Sequence, residues 1–405
     1  MSDDEKRWYE LSDIIDESGN HKALWWEVHD NDIGGDMYSF NKSKNTSSNI
    51  VCLNRYGFIL QGNGSTIKIQ IPRDMEGEVA GSNITNAQEK CRKIIPFAND
   101  KIVHGFETSN SEKYLAILFE SGKNSDVEVF SPGNLILGGS TKPLYMYSFG
   151  NDSIVDMKFI KDQCILGLTL SKNVYLLCKN EKTKINESNI CSIAVSTGGN
   201  NTGFDGVFGK ADGGLTFFSV GNDGKTLKIV SSATKPPKIN IEEDRLEILF
   251  FNAHFVHFLG SNYVLVVHKA KLIFDGDEDD FEYKYQYHIY EISSNTWTLI
   301  LNNDNQEPLN IEIENGEDET NENVECIFFV KFISAPWNVA IISADQANNI
   351  ALIGLNPNTK CWEHWKPARE EESDFDNIQL KDLNGEKQFV CGMGLSLNFQ
   401  ADYKA

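Results

Sequence analysis

Along this chain apolar residues fall in short runs, many of them alternating with polar ones, and almost nowhere do they repeat at helical spacing. The runs are rich in β-branched and aromatic residues and are bounded by Gly, Asn, Asp or Ser, which predicts many short strands. Gly57-Phe58-Ile59-Leu60-Gln61 and Thr66-Ile67-Lys68-Ile69-Gln70-Ile71 flank the turn Gly62-Asn63-Gly64-Ser65. Its glycines accept positive φ, so the pair predicts a hairpin. Similar pairs follow at 114–120 with 126–130, 164–170 with 173–178, 215–220 with 226–230, 262–269 with 283–292, and 338–343 with 349–355.

These hairpins recur roughly every fifty residues, a period at which each unit supplies about four strands. Radial blades produce that recurrence, because one blade alone cannot bury both its faces. The chain has neither the Gly-His and Trp-Asp pairs of WD40 blades nor the diglycines of kelch blades. Periodicity therefore predicts an all-β propeller and leaves a sandwich array as the alternative.

Charge gives the fold a direction. Lys and Arg total 37 against 59 Asp and Glu, a net charge of −22 on 405 residues. Such a surface repels phosphate backbones and anionic headgroups, so neither nucleic acid nor membrane is an expected partner, and a basic protein is. The start, MSDDEKRWYE, lacks the basic and apolar regions of a signal peptide, and no apolar run is long enough to span a bilayer. The expectation is a soluble, intracellular protein forming one domain over 1–405. Acidic insertions are expected at 275–282, 302–325 and 368–388, all as solvated loops.

Candidate chemistry is sparse. The eight cysteines are scattered without a CxxC pair and read as reduced core thiols. Asp275 to Asp280 starts like a calcium loop, but the sixth and twelfth positions are Asp280 and Gln286 where Gly and Glu are needed, so it reads as a solvated turn. His254 and His257 are expected on opposite faces of one strand. There is no nucleophile elbow and no phosphate loop, and no cofactor or metal is expected. Phe149-Gly150 and Phe208-Gly209 read as turn punctuation, and Trp25, Trp26, Trp362 and Trp365 as inter-blade packing. A propeller hydrolase would need a carboxylate pair at the central channel, which spacing alone does not single out.

Three stretches go beyond pattern. They are Asn54-Arg55-Tyr56-Gly57-Phe58-Ile59-Leu60-Gln61-Gly62, then Ile154-Val155-Asp156-Met157-Lys158-Phe159, and a late series. The series runs from Phe332-Ile333-Ser334-Ala335-Pro336-Trp337 through Ile350-Ala351-Leu352-Ile353-Gly354 and Cys361-Trp362-Glu363-His364-Trp365 to Met393-Gly394-Leu395. In order and approximate spacing these resemble the nucleoporin 214/159 family, over most of the chain from Trp8 to Leu397. The resemblance implies a seven-bladed propeller at the cytoplasmic face of the nuclear pore. It implies as partners other nucleoporins and the DEAD-box RNA helicase of messenger RNA export, engaged through a basic surface of its N-terminal RecA-like domain. Relatives run on past the Met393 motif through another strand pair and carry coiled-coil and Phe-Gly regions. The departure reads as a shortened chain, with closure of the last blade by the N-terminal segment, around Trp8 to Ile15 or Leu24 to His29, as the alternative.

The expected function is non-catalytic docking, with Glu370, Glu371, Glu372, Asp374 and Asp376 as the partner-binding residues, because they lie beside the best-matching blade. A generic adaptor for another basic protein is the second reading, and the hydrolase the third.

Overall fold

A computed structural model describes residues 50–70, 93–196, 203–221, 226–233, 246–300, 326–356, 361–365 and 378–379, a few single positions and short stretches within these ranges excepted. The N-terminal segment, the insertion at 302–325, Glu370, Glu371, Glu372, Asp374, Asp376 and the Met393 motif lie outside the described residues.

Six antiparallel sheets follow one another along the described chain. Sheet I holds β1 (Ile50–Leu53), β2 (Phe58–Asn63), β3 (Thr66–Gln70) and β4 (Lys93–Pro96). Sheet II holds β5 (Ile102–Thr108), β6 (Leu115–Ser121), β7 (Asn124–Phe130) and β8 (Tyr145–Ser148), with the short helix α1 (Pro132–Ile136) before β8. Sheet III holds β9 (Ile154–Ile160), β10 (Cys164–Thr169), β11 (Val174–Cys178) and β12 (Glu181–Lys184), and sheet IV β13 (Ile190–Val195), β14 (Gly206–Lys210), β15 (Leu215–Val220) and β16 (Leu227–Ala233). Sheet V is built from β17 (Leu246–Leu259), β18 (Tyr263–Phe274), β19 (Asp277–Ser293) and β20 (Thr296–Ile300). Sheet VI contains β21 (Phe328–Ile333), β22 (Val339–Ala344), β23 (Asn349–Leu355) and β24 (Trp362–Trp365), with β25 (Ile378–Gln379) paired to β23.

Each sheet is a meander in sequence order, and its apolar residues face both neighbours. Leu60, Ile67 and Ile69 of sheet I pack on Phe106, Leu115, Ile117 and Phe119 of sheet II. Leu118, Val127 and Tyr147 then meet Ile154, Met157 and Ile165 of sheet III. The same stacking joins III to IV through Leu166, Leu176, Phe208 and Phe218, and IV to V through Val207, Phe217, Val264 and Tyr290. Leu265, Val267 and Tyr287 join V to VI at Phe328, Ala340 and Ile353. Trp362, as expected of inter-blade packing, is buried here against Tyr263 and Phe332. Each large side chain so buried contributes about 1.5–3 kcal/mol. Five shared layers between six consecutive sheets are the architecture of a propeller.

The face of sheet VI turned away from sheet V carries Phe329, Val339 and Leu352, all buried although no described sheet packs there. A seven-blade count requires one further layer against this face, drawn from residues outside those described.

Four local expectations change. The segment from Asp275 to Asp280, expected as a loop within an insertion at 275–282, is mostly strand: β18 runs to Phe274 and β19 starts at Asp277, with Phe274 opposite Asp277. Alternating Phe281, Tyr283 and Tyr285 give that stretch a side to pack on, and pairing with β18 satisfies a backbone that charge alone would have sent to water. Sheet V thereby has strands of 14, 12 and 17 residues, against seven or fewer elsewhere among the described residues. A β-bulge between Ala253 and Phe255 breaks strict alternation. His254 reaches Cys326 O and Phe328, and Phe255, stacked on His257, contacts Phe328 too, so both imidazoles lie toward sheet VI. Cys164 and Cys178 are not single thiols: the register sets them opposite each other, Cα atoms 4.6 Å apart, and their sulfurs are bonded. Finally, Phe208-Gly209 lies inside β14, not at a turn.

Candidate functional site

In a meander of this kind the second-to-third connections, and those leading to the next sheet, lie at one end of the propeller; the other connections lie at the opposite end. The end of β18, the start of β19, the end of β20 and the start of β21 therefore lie at the same end. The third acidic stretch leaves from an edge. Trp365 pairs with Leu352 and Ile378 with Ile350, so residues 366–377 form an excursion whose two ends sit two positions apart on β23. Glu370, Glu371, Glu372, Asp374 and Asp376 belong to that excursion; the described strands fix where it starts and ends on sheet VI.

At the other end, carboxylates lace the turns of sheets I, II and III. The Asn54-Arg55-Tyr56-Gly57 turn closes on Leu53 O, with Gly57 at φ 69°. Glu112 accepts the backbone N–H of Asn54 at 3.0 Å and of Arg55 at 2.7 Å, while Arg55 Nη1 donates to Ser111 O at 3.4 Å. Ser111 N–H in turn donates to Asp162 Oδ1 at 3.1 Å. Burial pushes the Asp162 carboxyl up, but hydrogen bonds from Ser111 and Ser109 outweigh it and hold the group below its usual range. Glu112 itself sits at φ 53°, an uncommon conformation for a non-glycine residue, and two accepted hydrogen bonds offset that strain. Glu112→Ala is expected to lower stability by about 1 kcal/mol, since water replaces part of what the half-exposed N–H groups lose. Urea denaturation reads this directly, and an unshifted midpoint would contradict it.

The innermost strands β1, β5, β9, β17 and β21 bring six titratable side chains to the central channel: Cys52, Glu107, Asp156, Lys158, His257 and Lys331. Lys158 Nζ lies 3.0 Å from Asp156 Oδ1 and 3.8 Å from Glu107 Oε2. Lys158 and Glu107 keep 27% of their side-chain surface and Asp156 11%, although protein surrounds them, which is the condition of groups lining a narrow channel. Burial pushes both carboxyls up, with Lys158 opposing. Burial pushes Lys158 down, but Asp156 and Glu107 outweigh it and hold the ammonium above its usual range. Lys331 is pushed down by burial, His257 down to about 3 by burial and then by Lys331 and Lys158, and the Cys52 thiol up to about 11. A channel carboxylate pair thus exists, but with Lys158 between its members it is an ion-paired cluster and neither member is a free acid or base. Sequence reasoning noted Asp156 and Lys158 only as part of a motif; nothing in the spacing says which strands are innermost.

No family model matches the chain, and no curated protein does. Among solved structures, the N-terminal domain of Nup159 matches with a TM-score of 0.56 at 12% identity, covering 87% of this chain and 84% of that one. A structure of S. cerevisiae Dbp5 bound to Nup159, Gle1, IP6 and ADP matches with a TM-score of 0.56 at 11% identity, covering 87% and 83%. Identity this low establishes architecture and nothing finer, and the architecture agrees with the six stacked meanders: the chain is a β-propeller.

Proposed function

We propose that this chain is a non-catalytic docking propeller of the nuclear pore complex, at its cytoplasmic side. There it recruits the DEAD-box RNA helicase of messenger RNA export through a basic surface of the helicase's N-terminal RecA-like domain. The observation that carries the reading is the fold match over 87% of the chain to the Nup159 N-terminal domain, one matching structure being Dbp5 bound to Nup159. The net charge of −22 supports it independently, since an acidic platform speeds encounter with a basic protein and repels RNA.

The excursion carrying Glu370, Glu371, Glu372, Asp374 and Asp376 is the proposed contact. It concentrates five acids between two fixed points on the edge of sheet VI. Reversing all five to lysine is expected to weaken helicase binding at least tenfold, ~1.4 kcal/mol, and to flatten its salt dependence. Calorimetric titration at two ionic strengths measures both, with an unrelated basic protein in a parallel arm. Unchanged helicase affinity would remove the excursion from the interface. Equal binding of the unrelated protein would favour a generic adaptor, and failure of the unaltered chain to bind the helicase would overturn the reading.

A further inference from the structure

The outer rim of sheet II differs from the rest of this acidic chain. No Asp or Glu stands between Glu128 and Asp152, a stretch that holds α1 and β8, although the chain carries 59 of them. β8 is the outermost strand of its sheet and pairs with β7 alone among the described residues. Charged residues and proline keep such strands from pairing with foreign chains. Accordingly β4 carries Lys93 and Pro96, β12 carries Glu181, Lys182 and Lys184, and β16 carries Lys228. β8, Tyr145-Met146-Tyr147-Ser148, carries none. Just beyond it Phe149 N–H donates to Ser125 O on the β7 side at 2.9 Å, while Ser148 O is turned outward and accepts from Lys182 Nζ at 2.6 Å. Alternation turns the backbone N–H and C=O of Met146 outward as well.

The two sides of that edge differ in chemistry. Tyr145 and Tyr147 pack toward sheet III, and β12 starts there: Asn180 N–H donates to Tyr147 Oη at 3.4 Å, and Lys182 Nζ lies 4.6 Å from the centre of the Phe149 ring. Lys179, Lys182 and Lys184 are exposed on this side. Leu144 and Met146 point the other way, 45% and 57% exposed. They share that side with α1, whose Leu135 and Ile136 pack between sheets I and II, and with Leu137, 74% exposed. Glu128 is taken by Lys101, so Lys142, Lys179, Lys182 and Lys184 stand against Asp126 and Glu181, four positive charges against two.

We propose that the outer edge of β8 captures an extended peptide of a partner protein as a fifth strand of sheet II, the peptide alternating apolar and acidic residues. A strand's period of two sends its apolar side chains to Leu137, Leu144 and Met146 and its carboxylates to the lysines of β12. Charges beyond about 8 Å are screened at physiological ionic strength, so these lysines outweigh the distant acids for a bound carboxylate. A second copy of this chain fits less well, since two β8 edges would set lysines against lysines and each copy carries −22. The edge takes a ligand opposite in charge to the proposed helicase surface and lies on a different sheet, so neither site depends on the other.

Fluorescence anisotropy of the full chain tests it with a labelled, capped eight-residue peptide of alternating valine and glutamate. Two control peptides carry lysine for glutamate, or the original sequence with methylated backbone nitrogens. Saturable binding of the first peptide alone is expected. Met146→Lys, at an exposed position, guards the edge and should weaken binding about tenfold or more. Lys182→Glu with Lys184→Glu should weaken it several-fold and remove its salt dependence, with circular dichroism showing that both variants fold. Absence of saturable binding, equal binding of either control peptide, or unchanged affinity in a folded Met146→Lys chain would overturn the proposal. Self-association of the unaltered chain in sedimentation, abolished by Met146→Lys, would give the edge to a second copy and overturn it too.

Discussion

Gly209→Val is expected to leave little or no folded protein. Gly209 stands opposite Ser192 on β13 and Leu215 on β15, where sheet IV meets β17 of sheet V. Ser192 Oγ donates to Ala253 O at 2.7 Å, which draws the β17 backbone against the glycine. A Cβ at Gly209 would lie 2.3 Å from Ser192 Oγ, 2.7 Å from Ala253 O and 3.0 Å from Ala253 Cβ. The serine could turn away at the loss of its hydrogen bond, but the carbonyl cannot move without moving β17, and β17 runs the length of the longest sheet. The cost belongs with the most damaging single substitutions, about 4 kcal/mol or more against a typical total of roughly 5–15. Gly64 is the contrast. It has φ 55° and nothing within 4 Å of a built Cβ, so Gly64→Ala should cost only about 1 kcal/mol, all of it backbone strain. Soluble yield and the urea midpoint distinguish the two, and a Gly209→Val chain with an unaltered midpoint would refute the close approach.

The second large effect is loss of stability in mild acid. His268 and His288 are buried, with Nδ1 atoms 3.0 Å apart, and His268 Nε2 lies 3.0 Å from Gly213 O. The carbonyl can only accept, so His268 donates from Nε2, leaving its Nδ1 to accept from His288 Nδ1–H. Both rings are then neutral, and an added proton would put two donors face to face. Burial pushes His268 down to about 3, His288 to about 4 and, in the channel, His257 to about 3. A histidine whose folded value is depressed contributes stability that is complete above its unfolded value of about 6.5 and is lost as pH falls toward the folded value. At about pH 5.5 each of the three withdraws about 1 kcal/mol, a few kcal/mol in all. Glu107 and Asp156, raised by burial, act the opposite way, adding stability as pH falls through their own titration. Thermal unfolding at fixed ionic strength should therefore show Tm falling between about pH 7 and about pH 5.5, and His288→Phe should make the fall shallower. A flat Tm across that window would mean that these rings are not held neutral.

Reading the chain unaided recovers what repeats locally. The hairpin at residues 57–71 needs only alternation and a glycine turn, and β2 and β3 are found there with Leu60 opposite Ile69. Sheet V escaped in part, because Asp277 to Asp280 looks like solvent on composition while its pairing is decided by the strand beside it. Gly209 looked like a turn residue because a glycine needed for close approach and one needed for positive φ are the same letter. The channel cluster was illegible for a deeper reason. Glu107, Lys158 and Lys331 are far apart in sequence, and what makes them neighbours is radial position, which no local window encodes. Charge as a whole was legible, and it was charge that gave the propeller a direction.

Trp365 and Ile378 are pinned two positions apart on β23, so the blade fixes both ends of the twelve-residue connection 366–377 whatever its sequence. Closing a loop twice as long would cost only about 0.6 kcal/mol more. The length and sequence of this connection can therefore change with little penalty to the ring, by natural drift or by grafting a foreign epitope, and this edge of sheet VI is a natural place to insert a reporter.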